Sequence, residues 1–132
     1  MIIHIVIWKL KSQPDATGGS QVPATFTDAT ATGVIEATQE QIDAYKAESR
    51  REIAEALNKV PGPLVPMQFG PPQLPERAKG YEFALYSRFK DLESLKKYAV
   101  SDAHVSVVES VVKPRTIPGE TMAYDLEVPD DT

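Results

Sequence analysis

The stretch from which the fold can be read is Met1 to Leu10, "MIIHIVIWKL". It is dense in β-branched residues, which favour a pleated, half-buried backbone. Side chains alternate along a strand, so Ile3, Ile5 and Ile7 point to one side and Ile2, His4, Val6, Trp8 and Leu10 to the other. Both sets are largely apolar, which is the pattern of a central strand covered on each side. A single layer of helices can cover one face only. The second face is therefore expected to be buried against another copy of the sheet, in a homodimer.

Working outward, the next residues change in texture. Ser12 to Thr38 is crowded with Gly, Ala, Thr, Pro and Ser and has few large apolar residues. This predicts a flexible inserted loop at about residues 12–38. Thr38 and Gln41 then have the spacing of a capping box, and Ile42, Tyr45, Ser49, Ile53, Ala56, Leu57 and Val60 recur at three and four residues on one helical face. Pro61 and Gly62 end that helix. Val65 to Phe69 is a short candidate strand, and the proline-rich "GPPQLPERAKG" after it cannot pair in a sheet.

Tyr81 to Phe89 alternates again, with Tyr81, Phe83, Leu85 and Phe89 on one side. Asp91 is placed to cap a second helix in which Leu92, Leu95, Tyr98 and Ala99 share a face. Asp102 is the expected cap of a further helical segment that runs to about Val112 and is halted by Pro114. Thr121 to Val128 makes a last strand, and "PDDT" is expected to fray. The order is strand, helix, strand, strand, helix, strand, which predicts an α+β, ferredoxin-like βαββαβ subunit with helices on one face of a four-stranded antiparallel sheet.

Bulk properties bound the function. A chain of 132 residues suits one domain, here residues 1–132, and 42% hydrophobic with 25% charged residues is the composition of a globular protein. A net charge of -5 argues against nucleic acid or an anionic membrane as partner, since both need clustered cations. The absence of cysteine excludes a thiol nucleophile, a disulfide framework and any thiolate metal site. No stretch approaches the roughly 20 apolar residues of a membrane span, and the apolar N-terminus lacks a basic n-region and a cleavage site. The expected location is cytoplasmic.

Histidine is the side chain best matched to proton transfer near neutral pH, and there are two. His4 lies on the first strand, and His104 follows Tyr98 by six residues in "KKYAVSDAH". If the His4 face lies under the helices, two imidazoles and a phenol can meet in an apolar pocket and form an acid/base site. Each residue also has a structural reading, as a core histidine bonded to backbone or a packed helix tyrosine. A metal site is not expected, because the histidines are far apart and no carboxylate pattern accompanies them.

The motifs "HIVIWKLK", "VPG", "GYEFALYSRFKDLESLKKYAVSDAHVSVVESVV" and "YDLEV" together resemble the stress-responsive dimeric α+β barrel (Dabb) family over nearly all of the chain except Gln13 to Thr38. The resemblance implies a ferredoxin-like subunit that pairs with a second into a central barrel. The family includes a plant polyketide cyclase, olivetolic acid cyclase, and stress-related plant proteins with no settled catalytic role. Carried over by motif, His104 is implied as a general base, Tyr98 as its partner and His4 as a histidine lining the same pocket. Ile53 falls where the cyclase has a second pocket tyrosine, and Ser101-Asp102 stand in place of a His-Pro pair.

The leading expectation is an acid/base catalyst of the cyclase or lyase type, needing no cofactor and acting on a hydrophobic small molecule. Val6, Trp8, Ile53 and Leu57 would shape its apolar wall. The alternatives are a non-catalytic stress-response or ligand-binding dimer, and a cofactor-independent monooxygenase-like enzyme.

Overall fold

The computed structural model describes residues 1–13 and 38–129. Most of the expected loop at 12–38, and the last three residues of the tail expected to fray, lie outside the described residues. The order is β1 (Ile2–Trp8), α1 (Gln39–Asn58), β2 (Gln68–Gly70), a single 3-10 turn (Pro75–Arg77), β3 (Phe83–Phe89), α2 (Leu92–Val100), α3 (Asp102–Val107), a π-helical turn (Val108–Val112), α4 (Lys113–Arg115) and β4 (Met122–Glu127). The sheet order is β2-β3-β1-β4 with every pair antiparallel, the ferredoxin-like arrangement expected.

β1 lies at the centre because it is apolar on both sides. Ile2 pairs with Phe89, Val6 with Leu85 and Trp8 with Phe83, so these side chains share the face covered by the helices. On α1, Ser49, Ile53 and Leu57 are the buried positions, at the predicted spacing of four. One core cluster joins Trp8, Leu10, Ile53, Leu57, Met67, Phe83, Leu85 and Val112. A second joins Ile2, Val60, Phe89, Leu95 and Tyr98, and Val107 packs against both.

The other face of the sheet has no described helix against it. Ile3, Ile5 and Ile7 of β1 pair there with Leu126, Tyr124 and Met122 of β4. Met122, Tyr124 and Leu126 are exposed at 51%, 66% and 36%, while the β4 residues on the helical side are Ala123, Asp125 and Glu127. This strand is thus polar towards its own helices and apolar away from them, the reverse of what a lone two-layer subunit requires.

The helix starts follow local chemistry. Thr38 and Gln41 form the predicted reciprocal cap, and the Asp91 carboxylate accepts from the Ser94 backbone N–H, which lowers its pKa. Asp102, the cap expected from the sequence, does not cap α3; Ser101 does. The reason is positional: Ser101 is extended (φ -65°, ψ 147°), its hydroxyl donates to the Tyr98 carbonyl at 2.8 Å and its oxygen accepts from the His104 N–H at 3.2 Å. One side chain therefore closes α2 and opens α3.

Other details differ from the reading of the sequence, among them the last strand, which is Met122–Glu127 rather than Thr121–Val128. The short strand is Gln68–Gly70 rather than Val65–Phe69, because Met67 is pinned to Asn58 through backbone N–H and carbonyl before pairing begins. β3 begins at Phe83, since the Tyr81 N–H is turned back to the Ala78 carbonyl in the preceding turn and Glu82 is the first residue whose N–H reaches β1, at the Trp8 carbonyl. Leu92 is exposed at 48% rather than sharing the buried face of Leu95 and Tyr98, as the first residue of its helix. Pro114 does not halt the helix at Val112. The π-helical turn, in which the Lys113 N–H reaches the Val108 carbonyl, changes the register just before a residue that has no N–H, and the chain turns once more to Arg115.

Candidate functional site

Two polar places lie between the sheet and the helices, bridged by aromatic rings. The first is a row across the sheet. His4 stands between Ser87 of β3 and Asp125 of β4 in register, on the helical face. The small Ser87 leaves room for an imidazole, and its hydroxyl donates to the His4 carbonyl at 3.2 Å. His4 Nδ1 is bound to Asp125 Oδ1. With Nδ1 carrying the proton towards that carboxylate, the ring is oriented and Nε2 is its remaining atom for chemistry.

The second place is the junction of α2 and α3. The rings of Tyr98 and His104 are in contact, with centroids 4.5 Å apart and planes tilted by 50°. His104 Nδ1 lies 3.0 Å from the Ala99 carbonyl. A carbonyl only accepts, so Nδ1 carries the hydrogen and, in the neutral ring, the Nε2 lone pair is left available. Burial lowers the His104 pKa; the bond to Ala99 acts in the opposite direction, and the charge of His4 adds a further lowering. The neutral imidazole is the favoured state near neutral pH.

Tyr98 is 3% exposed, and burial pushes its phenol up to about 12. It is a proton-bearing group at neutral pH. Its hydroxyl points at Met67 Sδ, 3.8 Å away, and not at either imidazole. The side chain is set from behind by Gly62. That residue has φ +139°, and a Cβ there would come within 2.9 Å of Tyr98 Cδ2. Phe89 connects the two places, with its ring 4.9 Å from that of Tyr98 and 6.0 Å from that of His4.

The three residues singled out from the sequence thus belong to one aromatic string, His4, Phe89, Tyr98, His104, without a hydrogen bond among them. The expected apolar wall is packed: Trp8, Ile53 and Leu57 are buried in the first core cluster and Val6 lies against it. Sequence reasoning missed Asp125, a polar residue of the last strand. The signal was the β1–β4 register, which places the acid beside His4.

Among the described residues no group of three or more His, Cys, Asp or Glu could hold a metal ion. No helix there is long and apolar enough to cross a membrane.

Comparison with known proteins follows the same lines. No curated protein sequence matches the chain. Solved structures share its fold: a Dabb family protein with a ferredoxin-like fold from Mesorhizobium loti has TM-score 0.59 and 16% identity, over 98% of this chain and 97% of that one. A dimeric ferredoxin-like protein from Bacteroides fragilis has TM-score 0.56 and 19% identity, over 96% and 95%. The hydroxynitrile lyase of Passiflora edulis has TM-score 0.56 and 16% identity, over 99% and 95%. The family model for the stress-responsive A/B barrel domain matches residues 2–128, and the chain belongs to that family, Dabb.

Proposed function

We propose that the chain forms a homodimer through the apolar face of its sheet and transfers protons on a hydrophobic small molecule, with His104 as the base. The observation that carries this reading is the His104 Nδ1–H bond to the Ala99 carbonyl. It holds the neutral ring in the tautomer whose Nε2 can accept a proton, and burial keeps that form populated near neutral pH.

In the proposed step, Nε2 takes a proton from a carbon acid beside a carbonyl. An enolate forms, and the imidazolium returns the proton to the product. The His4 ring, oriented by Asp125 through Nδ1, accepts the hydrogen of the enol hydroxyl at Nε2. Tyr98 exchanges its weak thioether partner for a substrate oxygen, to which it donates. Such chemistry serves a cyclase or a lyase and needs no cofactor; a hydroxynitrile lyase has the same fold.

The test is hydrogen–deuterium exchange in D2O with a panel of 1,3-dicarbonyl compounds, followed by NMR. Catalysed exchange at the acidic carbon is expected, falling by about 100-fold or more in His104→Gln, the usual scale for removing a general base. Exchange no faster than in buffer, or unchanged in the variant, would overturn the proposal.

A non-catalytic ligand-binding dimer is the second reading. It is favoured by the Tyr98 hydroxyl facing Met67 and by the packed state of Trp8, Ile53 and Leu57. It predicts saturable binding of the dicarbonyl compounds without exchange.

A further inference from the structure

Beside the candidate site a cleft of about 510 Å³ opens, within the range of small-molecule sites. It is lined by Asn58 and residues 60–67, the segment that leads from α1 to β2, and by no residue of the apolar sheet face assigned to the homodimer. Tyr98 does not line it. Three of the lining residues reach Tyr98 from behind: Val60 shares its core cluster, Gly62 backs onto its ring, and Met67 puts Sδ 3.8 Å from its hydroxyl. Of these, Met67 is the one at the phenol oxygen.

The backbone of the segment is held along its length. Pro61, Pro63 and Pro66 have fixed φ, and the Leu64 N–H is bound to the Arg88 carbonyl at 2.8 Å. Asn58 clamps Met67 on both sides: its side-chain oxygen accepts from the Met67 N–H at 2.9 Å, and its amide donates to the Met67 carbonyl at 3.4 Å. The Met67 side chain, by contrast, is unbranched, with three rotatable bonds and a sulfur that accepts only weakly. A pinned backbone therefore carries a soft side chain between an open cleft and a buried hydroxyl.

We propose that Met67 is the gate of the candidate site, and that the cleft outside it receives the incoming carbonyl compound. Tyr98 is 3% exposed, so a ligand oxygen reaches it only once the Met67 side chain has rotated aside. The hydroxyl then donates to the carbonyl oxygen in place of sulfur, an exchange that favours the ligand because an oxygen is the stronger acceptor. The gating role rests on the reading of Tyr98 as a donor to substrate, and it adds the route of entry and the residue that controls it.

The experiment is a titration of the full chain, isotopically labelled at the methionine methyls, with benzoylacetone, followed by NMR. The Met67 methyl signal is identified by its loss in Met67→Leu. It is expected to shift and saturate, together with backbone amides within residues 60–67. Met67→Phe, which fills the passage, should weaken binding about tenfold, whereas Met67→Ala should tighten it. In fluorotyrosine-labelled Met67→Ala the Tyr98 phenol should also titrate below the value of about 12 that burial imposes, because water enters. Both variants alter a core residue, and the wild-type titration decides the matter where either fails to fold. A saturating Met67 shift without catalysed carbon exchange supports the gate and removes His104 as the base. Catalysed exchange with the Met67 methyl unmoved overturns the gate and leaves the acid/base reading standing. An unmoved methyl at millimolar benzoylacetone, with no exchange, overturns both.

Discussion

At the scale of single residues the chemistry of this protein rests on which hydrogen each imidazole carries. His104 and His4 both turn Nδ1 towards an acceptor, a carbonyl in one case and a carboxylate in the other. Burial holds the folded-state pKa of His104 below the ordinary value of about 6.5, so the unfolded chain takes up the proton more readily. The stability that the neutral ring contributes is complete above that ordinary value and is lost as the pH falls below it. Urea denaturation of wild type and His104→Gln between pH 5 and 8, a window of about three units around that value, should show the two curves converging at the acid end. A constant difference across the window would remove the buried imidazole from the account. Tyr98 and both histidines were legible as candidates because few residue types serve proton transfer. The direction of the Tyr98 hydroxyl was not, because Met67 is 31 positions away in the chain.

At the scale of elements the site depends on two joints. The first is Ser101, whose hydroxyl links the end of α2 to the start of α3 and brings His104 back over Tyr98. The break was readable in "SDAH", but the capping residue was assigned one position too late. Ser and Asp are both good caps, and the choice falls to whichever backbone is extended. The second joint is Gly62. Gly62→Ala forces a side chain into positive φ and against the Tyr98 ring, which should cost about 1–3 kcal/mol. Thermal and urea denaturation would measure it, and an unchanged midpoint would refute the close approach. "VPG" announced the end of the helix, but only the tertiary contact explains why glycine stands there.

At the scale of the whole molecule the decisive feature is the reversed polarity of β4. Met122, Tyr124 and Leu126 face away from the helices, beside Ile3, Ile5 and Ile7. Solved structures of the same fold from Jannaschia and Thermobifida fusca are described as dimeric, as is that from Bacteroides fragilis. A homodimer of this chain is expected to bury this face. Tyr124→Lys with Leu126→Asp changes two exposed side chains, leaving the described core untouched. In sedimentation equilibrium the double variant should run as a folded monomer at concentrations where wild type is dimeric. Equal masses for the two proteins would remove this face as the interface.

The sequence by itself determined the elements and the sheet they build, because the periods of two and 3.6 residues, the Thr38–Gln41 cap and the apolar faces of Met1 to Leu10 are local properties. It also implied, from those two faces, that one layer of helices was not enough. Tertiary structure alone decided that His4 would be oriented by Asp125, 121 residues away, and that the Tyr98 hydroxyl would face sulfur. The reason is physical: periodicity says which side of an element is buried, but strand register and loop closure choose the partner.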